Sequence, residues 1–332
     1  MLHGIDVHTH IIPESFPAYA GKVADAPWPS MKHEGCGHAH VVISGRNYRT
    51  VPHTSWDVKA RTAEMDGMRL ARQVLSPMPE LLSYWLAPED GRAMCRFLND
   101  TIAKMVSAEP ERFLGLGVVP LQDPDAALAE LAYVVNDLAL SGVEVATHVN
   151  GVSIGDPRFE PFFAEAERLG AAVFVHGLHP AGKDRLVGPP QLEQIVAFPG
   201  DVGLAAAAMV TGGTLARHPL LRIALSHGGG AFPIMLPRLE HGWNTVPALR
   251  EAIPDAPTSY ANRFYVDTLT YAARTLQLAM ETFGPDRVMI GTDYPFAICD
   301  KDPHGTVDAL KLDRAAAQAL REGNARRFLG LS

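Results

Sequence analysis

Eight short apolar, β-branched runs alternating with longer helical stretches predict an α/β fold, a (β/α)8 TIM barrel in one domain over residues 1–332. The runs fall at residues 4–8, 72–76, 113–121, 142–147, 171–176, 221–227, 264–267 and 288–292. Strand alternating with helix points to a parallel sheet, and eight repeats favour closure over an open doubly wound sheet. Between the runs, residues 123–140 carry Leu128, Leu131, Val135 and Leu138 at the spacing of one buried helical face. A further observation is that several runs end in side chains able to bind a metal or carry a proton.

One stretch breaks the rhythm. Residues 13–52 are rich in Gly, Pro and His and make a first strand-to-helix connection far longer than an ordinary loop. Within it, residues 38–51 read as two short strands around a Gly-containing turn, a small β-hairpin inserted after strand 1 as a lid.

Composition narrows the function classes. The chain of 332 residues is 47% apolar and 20% charged with a mean hydropathy of +0.01, the balance of a globular protein with a substantial core. A formal charge of −8 and a pI near 5.9 disfavour nucleic acid as a partner, since phosphate binding calls for a clustered basic face. No apolar run approaches the roughly 20 residues that cross a bilayer, so no membrane partner is expected. Five residues precede the first motif, too few for a secretory leader, and the cytoplasm is the expected compartment. Cys36, Cys95 and Cys299 are widely spaced with no CxxC pair, which points to reduced packing residues.

The active site of a barrel of this kind forms where strands end at their C-terminal side. Strand one ends at Asp6-Val7-His8-Thr9-His10, strand five at His176, strand six at Ser226-His227 and strand eight at Thr292-Asp293. Side chains alternate along a strand, so Asp6, His8 and His10 are expected on one face, where two imidazoles reach one divalent ion. A lone HxH is a weak signal, and its weight comes from the company of the other strand ends.

Read together, Asp6-Val7-His8-Thr9-His10, His176, Ser226-His227-Gly228-Gly229-Gly230, Gly291-Thr292-Asp293-Tyr294-Pro295-Phe296 and the terminal Gly323-Asn324-Ala325-Arg326-Arg327-Phe328-Leu329-Gly330-Leu331 resemble the amidohydrolase superfamily. Within it they resemble the decarboxylase branch typified by α-amino-β-carboxymuconate-ε-semialdehyde decarboxylase. The resemblance implies that His8, His10, His176 and Asp293 bind one divalent metal ion, with zinc expected. It implies that His227 is the acid/base catalyst that activates metal-bound water, and that Asp293 or His227 delivers the proton. Neutral imidazoles with one carboxylate suit zinc, leave a position open for water and lower that water's pKa to about 7. The fourth strand ends Val145-Ala146-Thr147-His148 without a lysine to bridge two metals, so one ion is expected.

The resemblance also implies that Arg49, in the lid, and Arg238, beyond strand six, grip a substrate carboxylate through the bidentate guanidinium fork. Arg238 is expected to reach the neighbouring subunit's site in a homodimer. Phe296 is a candidate pocket wall, with Trp243 and Tyr294. His179 is expected to bond its own loop, and His33, His38 and His40 to face solvent on the lid. After His176 this chain departs from the branch: Gly177-Leu178-His179-Pro180 stands where the branch has Pro-Trp-Asp, and residues 181–199 hold no tryptophan. Substrate shape is expected to differ accordingly.

The function so implied is a metal-dependent, oxygen-independent decarboxylase of a small unsaturated or aromatic carboxylate, acting in aromatic-compound degradation. Two readings compete with it: a metal-dependent hydrolase or hydratase of the same superfamily, and a non-catalytic metal- or carboxylate-binding protein. His227 beside an open metal position weighs against simple binding.

Overall fold

The structure, a computed structural model, describes residues 3–35 and 37–331. Strand β1 (Ile5–Ile11) is followed by an inserted antiparallel sheet of β2 (Ser30–Glu34), β3 (His38–Ile43) and β4 (Arg46–Pro52). Next come β5 (Arg72–Pro77), β6 (Phe113–Val118), β7 (Gly142–Ala146) and a two-residue hairpin of β8 (His148–Val149) and β9 (Val152–Ser153). Strands β10 (Ala172–His176), β11 (Arg222–Leu225), β12 (Phe264–Asp267) and β13 (Val288–Met289) complete the set.

Eight of these strands form one parallel sheet in the order β1-β5-β6-β7-β10-β11-β12-β13, so every predicted run supplies a barrel strand. The last run is regular only over Val288–Met289, and the chain beyond it closes the barrel against β1. There Val7 N–H donates to Ile290 O at 2.9 Å, Asp293 N–H to His8 O at 2.9 Å and His10 N–H to Tyr294 O at 2.7 Å. The interior is filled by residues such as Ile5, Val7, Leu116, Phe174 and Met289, joined by Phe328 and Leu329 of the last helix, Asn324–Leu329. A larger apolar layer lies between the barrel and its surrounding helices.

Three local departures from the sequence reading have identifiable causes. The predicted hairpin is β3 with β4, and β2 adds a third strand whose exposed, polar pattern shows no alternation to read. The helix expected over residues 123–140 begins at Asp123, whose carboxylate caps Ala126 N–H, but Pro124–Ala132 passes into a π-helical turn at Tyr133–Asp137. The wider turn brings Val134 inward in place of Val135. The continuous 19-residue helix Glu193–Thr211, with a mean hydropathy of 1.4 over its most apolar 18 residues, is long and apolar enough to cross a membrane, contrary to the expectation from the sequence. Packing accounts for part of that apolarity, since Phe198, Val202, Ala206, Met209 and Val210 are buried and the helix packs on Phe232–Thr245, whereas Ile195, Val196 and Leu204 are exposed.

Beneath the first helix, Val58–Gly67, Arg61 is fully buried and ties that helix to the closing strands. Its guanidinium donates to Gln73 Oε1 at 2.8 Å, His10 O at 2.9 Å and Thr9 Oγ1 at 2.7 Å, and lies 4.6 Å from the Tyr294 ring. Burial lowers its pKa to about 10, and it still carries its charge at neutral pH. Arg61→Met strands three acceptors at once and is expected to destabilise the protein by about 3 kcal/mol. Urea unfolding reads this as a lower midpoint with unchanged slope; an unchanged midpoint shows that solvent or neighbours replace the lost bonds.

Candidate metal centre and active site

An irregularity in β1 sets the first two ligands. Opposite β5, Asp6 pairs with Gln73 and Thr9 with Leu75, so β1 carries one extra residue between them. Val7 packs among the interior residues while the His8 ring also lies 5.1 Å from the interior Phe174. The expectation that Asp6 shares the histidine face is therefore corrected. Asp6 instead accepts from Thr292 N–H at 3.1 Å, Thr292 Oγ1 at 2.6 Å and Gln73 Nε2 at 3.2 Å, bracing the chain that carries Asp293. Burial pushes its pKa up to about 7.

His8, His10 and His176 converge with ring centroids 5.0–5.1 Å apart and planes nearly perpendicular to one another. Each ring uses Nδ1 on a fixed acceptor: His8 on Asp267 Oδ2 at 2.6 Å, His10 on Pro77 O at 3.0 Å, and His176 on Gly177 O at 2.8 Å. That fixes Nδ1–H and turns three Nε2 lone pairs inward, where all three atoms are buried without a hydrogen-bond partner. Asp293 Oδ1 lies 3.3 Å from His10 Nε2 and 3.6 Å from His8 Nε2, and one ligand atom from each of the four residues falls within 4.8 Å of all the others. Buried lone pairs facing a carboxylate need a cation between them. His8, His10, His176 and Asp293 thus form a site for one divalent metal ion.

The local charges agree with that ligand set. Burial, with His227, His8 and His10 crowding it, holds His176 well below the usual imidazole range. Asp293 stays ionised: burial opposes this, but His10 and His8 outweigh it and lower its pKa. For His8 burial pulls downward, yet the Asp267 carboxylate raises it to about 9, so a metal binding at Nε2 displaces a proton there. Sharing the Asp267 proton bond strengthens His8 as a donor to a metal.

His227 stands on the open side of this centre, its ring 5.0 Å from His176 and 5.2 Å from His8. Its Nδ1 is 3.0 Å from Ser226 Oγ, which leaves Nε2 for the cavity. Burial and then His8 lower its pKa to about 4, so it is a neutral imidazole. The backbone at His227 is left-handed, with φ of 56°, and the glycines after it let the chain turn sharply. At Gly230 a Cβ would sit 2.1 Å from Pro199 O. A Cβ at Gly291 would likewise press on His8 and Asp267, which explains the glycine before Thr292-Asp293.

Above the ligands, β4 brings Arg49 to the site. Its guanidinium lies 4.2 Å from the Phe296 ring, which stacks on His10 at 5.2 Å, and Nη2 is 3.3 Å from Glu80 Oε1. Arg49, Glu80, His176, His227, Asp293 and Phe296 line one narrow space. Gln194, His227 and Ile298 also border a neighbouring cavity of about 550 Å³ lined by Ile195, Pro199, Leu269 and Tyr271.

The remaining sequence candidates lie elsewhere. Arg238 is exposed on the helix Phe232–Thr245 and is not among the residues lining the metal pocket. Trp243 donates its indole N–H to Ile253 O, and Tyr294 is buried under Arg61, so neither walls the pocket. His179 stacks near Trp85 and lines a separate cavity. His33 bonds Glu14 O, and His40 pairs with Thr50 and Glu34, within the insertion. Cys95 and Cys299 are free thiols, and Cys36 lies outside the described residues.

Three site residues were missed from the sequence. Asp267 ends β12 and holds His8, His227 N–H at 2.9 Å and Gly228 N–H at 2.8 Å; its place at a strand end was the available signal. Glu144 is fully buried, with Oε2 3.7 Å from His10 Nδ1, and burial pushes its pKa up to about 7. Glu80 belongs to no motif. Replacing Asp267 by Asn removes the acceptor charge behind His8 and is expected to weaken divalent metal affinity roughly 10- to 100-fold, read by chelator competition. Unchanged affinity would make Asp267 a purely structural brace.

Comparison with known proteins agrees with this geometry. A family model described as Amidohydrolase matches residues 5–331. A 2-amino-3-carboxymuconate-6-semialdehyde decarboxylase of Dictyostelium discoideum is 37% identical over 331 residues, covering 98% of this chain and 91% of that protein. A crystal structure of 2,6-dihydroxybenzoate decarboxylase complexed with 2,6-dihydroxybenzoate is 28% identical, with a TM-score of 0.71 over 81% of this chain and 87% of that one. A dihydroxybenzoic acid decarboxylase from Polaromonas sp. JS666, with bound manganese and 2-nitroresorcinol, shares the fold at 21% identity, with a TM-score of 0.78 over 99% of this chain and 97% of that one. With its barrel, its ligand strand ends and a family match spanning nearly its full length, the chain belongs to the amidohydrolase family.

Proposed function

We propose that the protein is a metal-dependent, oxygen-independent decarboxylase of a small unsaturated or aromatic carboxylate. The observation that carries this reading is the convergence of three partnerless Nε2 atoms and Asp293 on one point, with a neutral His227 and the Arg49 guanidinium facing the same narrow space. His8, His10, His176 and Asp293 would hold the ion, with zinc favoured by three imidazoles and one carboxylate. Manganese, held by the Polaromonas enzyme, is the other ion to test. When bound, the ion supplies Lewis acidity that polarises the substrate and stabilises the electron density left as carbon dioxide departs.

The protein's own groups do the rest. Arg49 docks the carboxylate, with Phe296 beneath it setting the guanidinium plane. The unsaturated body of the substrate extends into the adjoining apolar cavity. As the carbon–carbon bond breaks, its electron pair stays on the substrate carbon, which takes up one proton. His227 is the carrier: its neutral Nε2 takes a proton from water in the site and passes it to that carbon, hydroxide being left in the water, with Ser226 fixing the ring through Nδ1. Residues 13–52 act as the lid that delivers Arg49. In this reading the working form is a homodimer, and Arg238 from one subunit reaches the other's site.

Zinc- or manganese-loaded protein is expected to release carbon dioxide from members of a panel of aromatic and muconate-type carboxylates, with no water oxygen in the product. Hydrolysis products would overturn the lyase reading. His176→Ala should lose metal and turnover together, whereas His227→Ala should keep its metal and lose most turnover. Metal analysis beside kinetics tests this division; loss of metal from His227→Ala would remove its assigned role.

Arg238→Ala should raise KM roughly tenfold or more with the metal retained, because one partner of a charge pair is truncated. Mixing Arg238→Ala with inactive His176→Ala should raise activity at substrate concentrations far below the variant's KM, since one site of the hybrid dimer receives both an intact metal centre and an intact arginine. Hybrid dimers seen by mass spectrometry without that rise in activity would refute the shared site.

A further inference from the structure

Glu80 is a carboxylate in a place that the proposed chemistry does not use. It lies in the short turn Pro79–Leu82 just past the C-terminal end of β5, at the active-site mouth of the barrel, and is only 2% exposed. Its two oxygens are treated unequally. Oε1 accepts from Tyr48 O–H at 2.6 Å and faces Arg49 Nη2 at 3.3 Å, whereas Oε2 is buried with no partner among the described residues. Glu80 lines the same narrow space as His176, His227, Asp293, Arg49 and Phe296.

A buried carboxylate oxygen left without a donor is costly, by more than a typical hydrogen bond is worth. Holding Arg49 accounts for Oε1 alone. Each carboxylate oxygen offers two lone pairs, so one oxygen satisfies Tyr48 and Arg49, and the other is a buried acceptor without a donor on a residue that lines the narrow space.

We infer that Glu80 determines specificity: its free Oε2 accepts a hydrogen bond from an O–H or N–H group that the substrate carries beside its carboxylate. This rests on the carboxylate reading of the site and narrows it to hydroxylated or aminated acids. A site built to bond such a donor rejects analogues that lack it, because binding them leaves the buried acceptor unpaired. A methoxy group in the same position is excluded twice, by the missing proton and by its added bulk.

The test uses metal-loaded wild type and Glu80→Gln, with calorimetric dissociation constants for benzoate and for its ortho and meta hydroxy, amino and methoxy derivatives. The hydroxy and amino arms distinguish which donor the site takes. Wild type is expected to bind one donor-bearing derivative on the order of tenfold or more tighter than its methoxy counterpart. Glu80→Gln keeps an amide oxygen for Tyr48 and replaces the free acceptor with an N–H, so it should lose that preference while benzoate affinity does not fall. A residue that merely positions Arg49 would lower every affinity alike. A hydroxyl that prefers the metal over Glu80 would keep its advantage in the variant. Either result, or a wild type without donor preference, overturns the inference. Failure of every carboxylate to bind wild type overturns the carboxylate reading itself. Should Glu80→Gln not fold, Glu80→Asp withdraws the oxygen by one methylene and is read in the same way.

Discussion

Barrel closure between β1 and the chain beyond β13 is the constraint on which the rest of the site depends. Asp293 N–H on His8 O and His10 N–H on Tyr294 O place the fourth ligand against the first two through backbone pairing alone. Asp293 takes this position with φ of 61°, a left-handed conformation that strains a residue bearing a Cβ. The surroundings over-determine it: Asp6 holds Thr292 by both backbone and hydroxyl, and Arg61 grips the carbonyl of His10 from outside the barrel. The ligand cage is therefore organised by the fold before any ion enters, the condition for tight and selective metal binding.

Electrostatics then couple the metal centre to His227 through Asp267. One carboxylate accepts from His8 Nδ1 and from the backbone N–H groups of His227, Gly228 and Leu269. Burial alone would raise the pKa of Asp267, but the His8 bond comes first among the interactions that lower it, so it remains a full negative charge. The same charge selects the His8 tautomer and holds the left-handed turn that aims His227. A change at Asp267 would thus be felt by metal affinity and by base orientation together, although it touches neither ion nor substrate.

The sequence made the strand ends legible because metal ligands there must be histidine or carboxylate, and His8, His10, His176, His227 and Asp293 all close apolar runs. Strand number was legible for the same reason, since buried parallel strands are nearly continuous apolar runs. Asp6 was misread because alternation presumes a regular strand, and a one-residue bulge is invisible without its partner β5. Strand β2 was hidden by its exposure to solvent on nearly every residue. Asp267 and Glu144 look in sequence like an ordinary cap and an ordinary strand residue; only the barrel brings them behind His8 and His10. Glu80 became visible only when the insertion folded Tyr48 and Arg49 over it.

The proposed reaction turns an anion into a neutral gas, and the asymmetry of the pocket suits that change. Carboxylate binding by a lone buried arginine would stabilise the ground state strongly and raise the barrier to losing the charge, because uniform binding gives no acceleration. Here Arg49 is already paired with Glu80 on one side and stacked on Phe296 on another. Its remaining donors can orient a carboxylate without holding it as a bare guanidinium would. Ile195, Pro199, Leu269 and Ile298 form an apolar wall beside it, suited to the rest of such a substrate. In the proposed reading the substrate would be gripped by its body and its polar substituent more than by the group that leaves. Glu80 would then serve both ends of that arrangement, fixing Arg49 through one oxygen while limiting its pull on the carboxylate, and offering the other oxygen to the part of the substrate that stays behind.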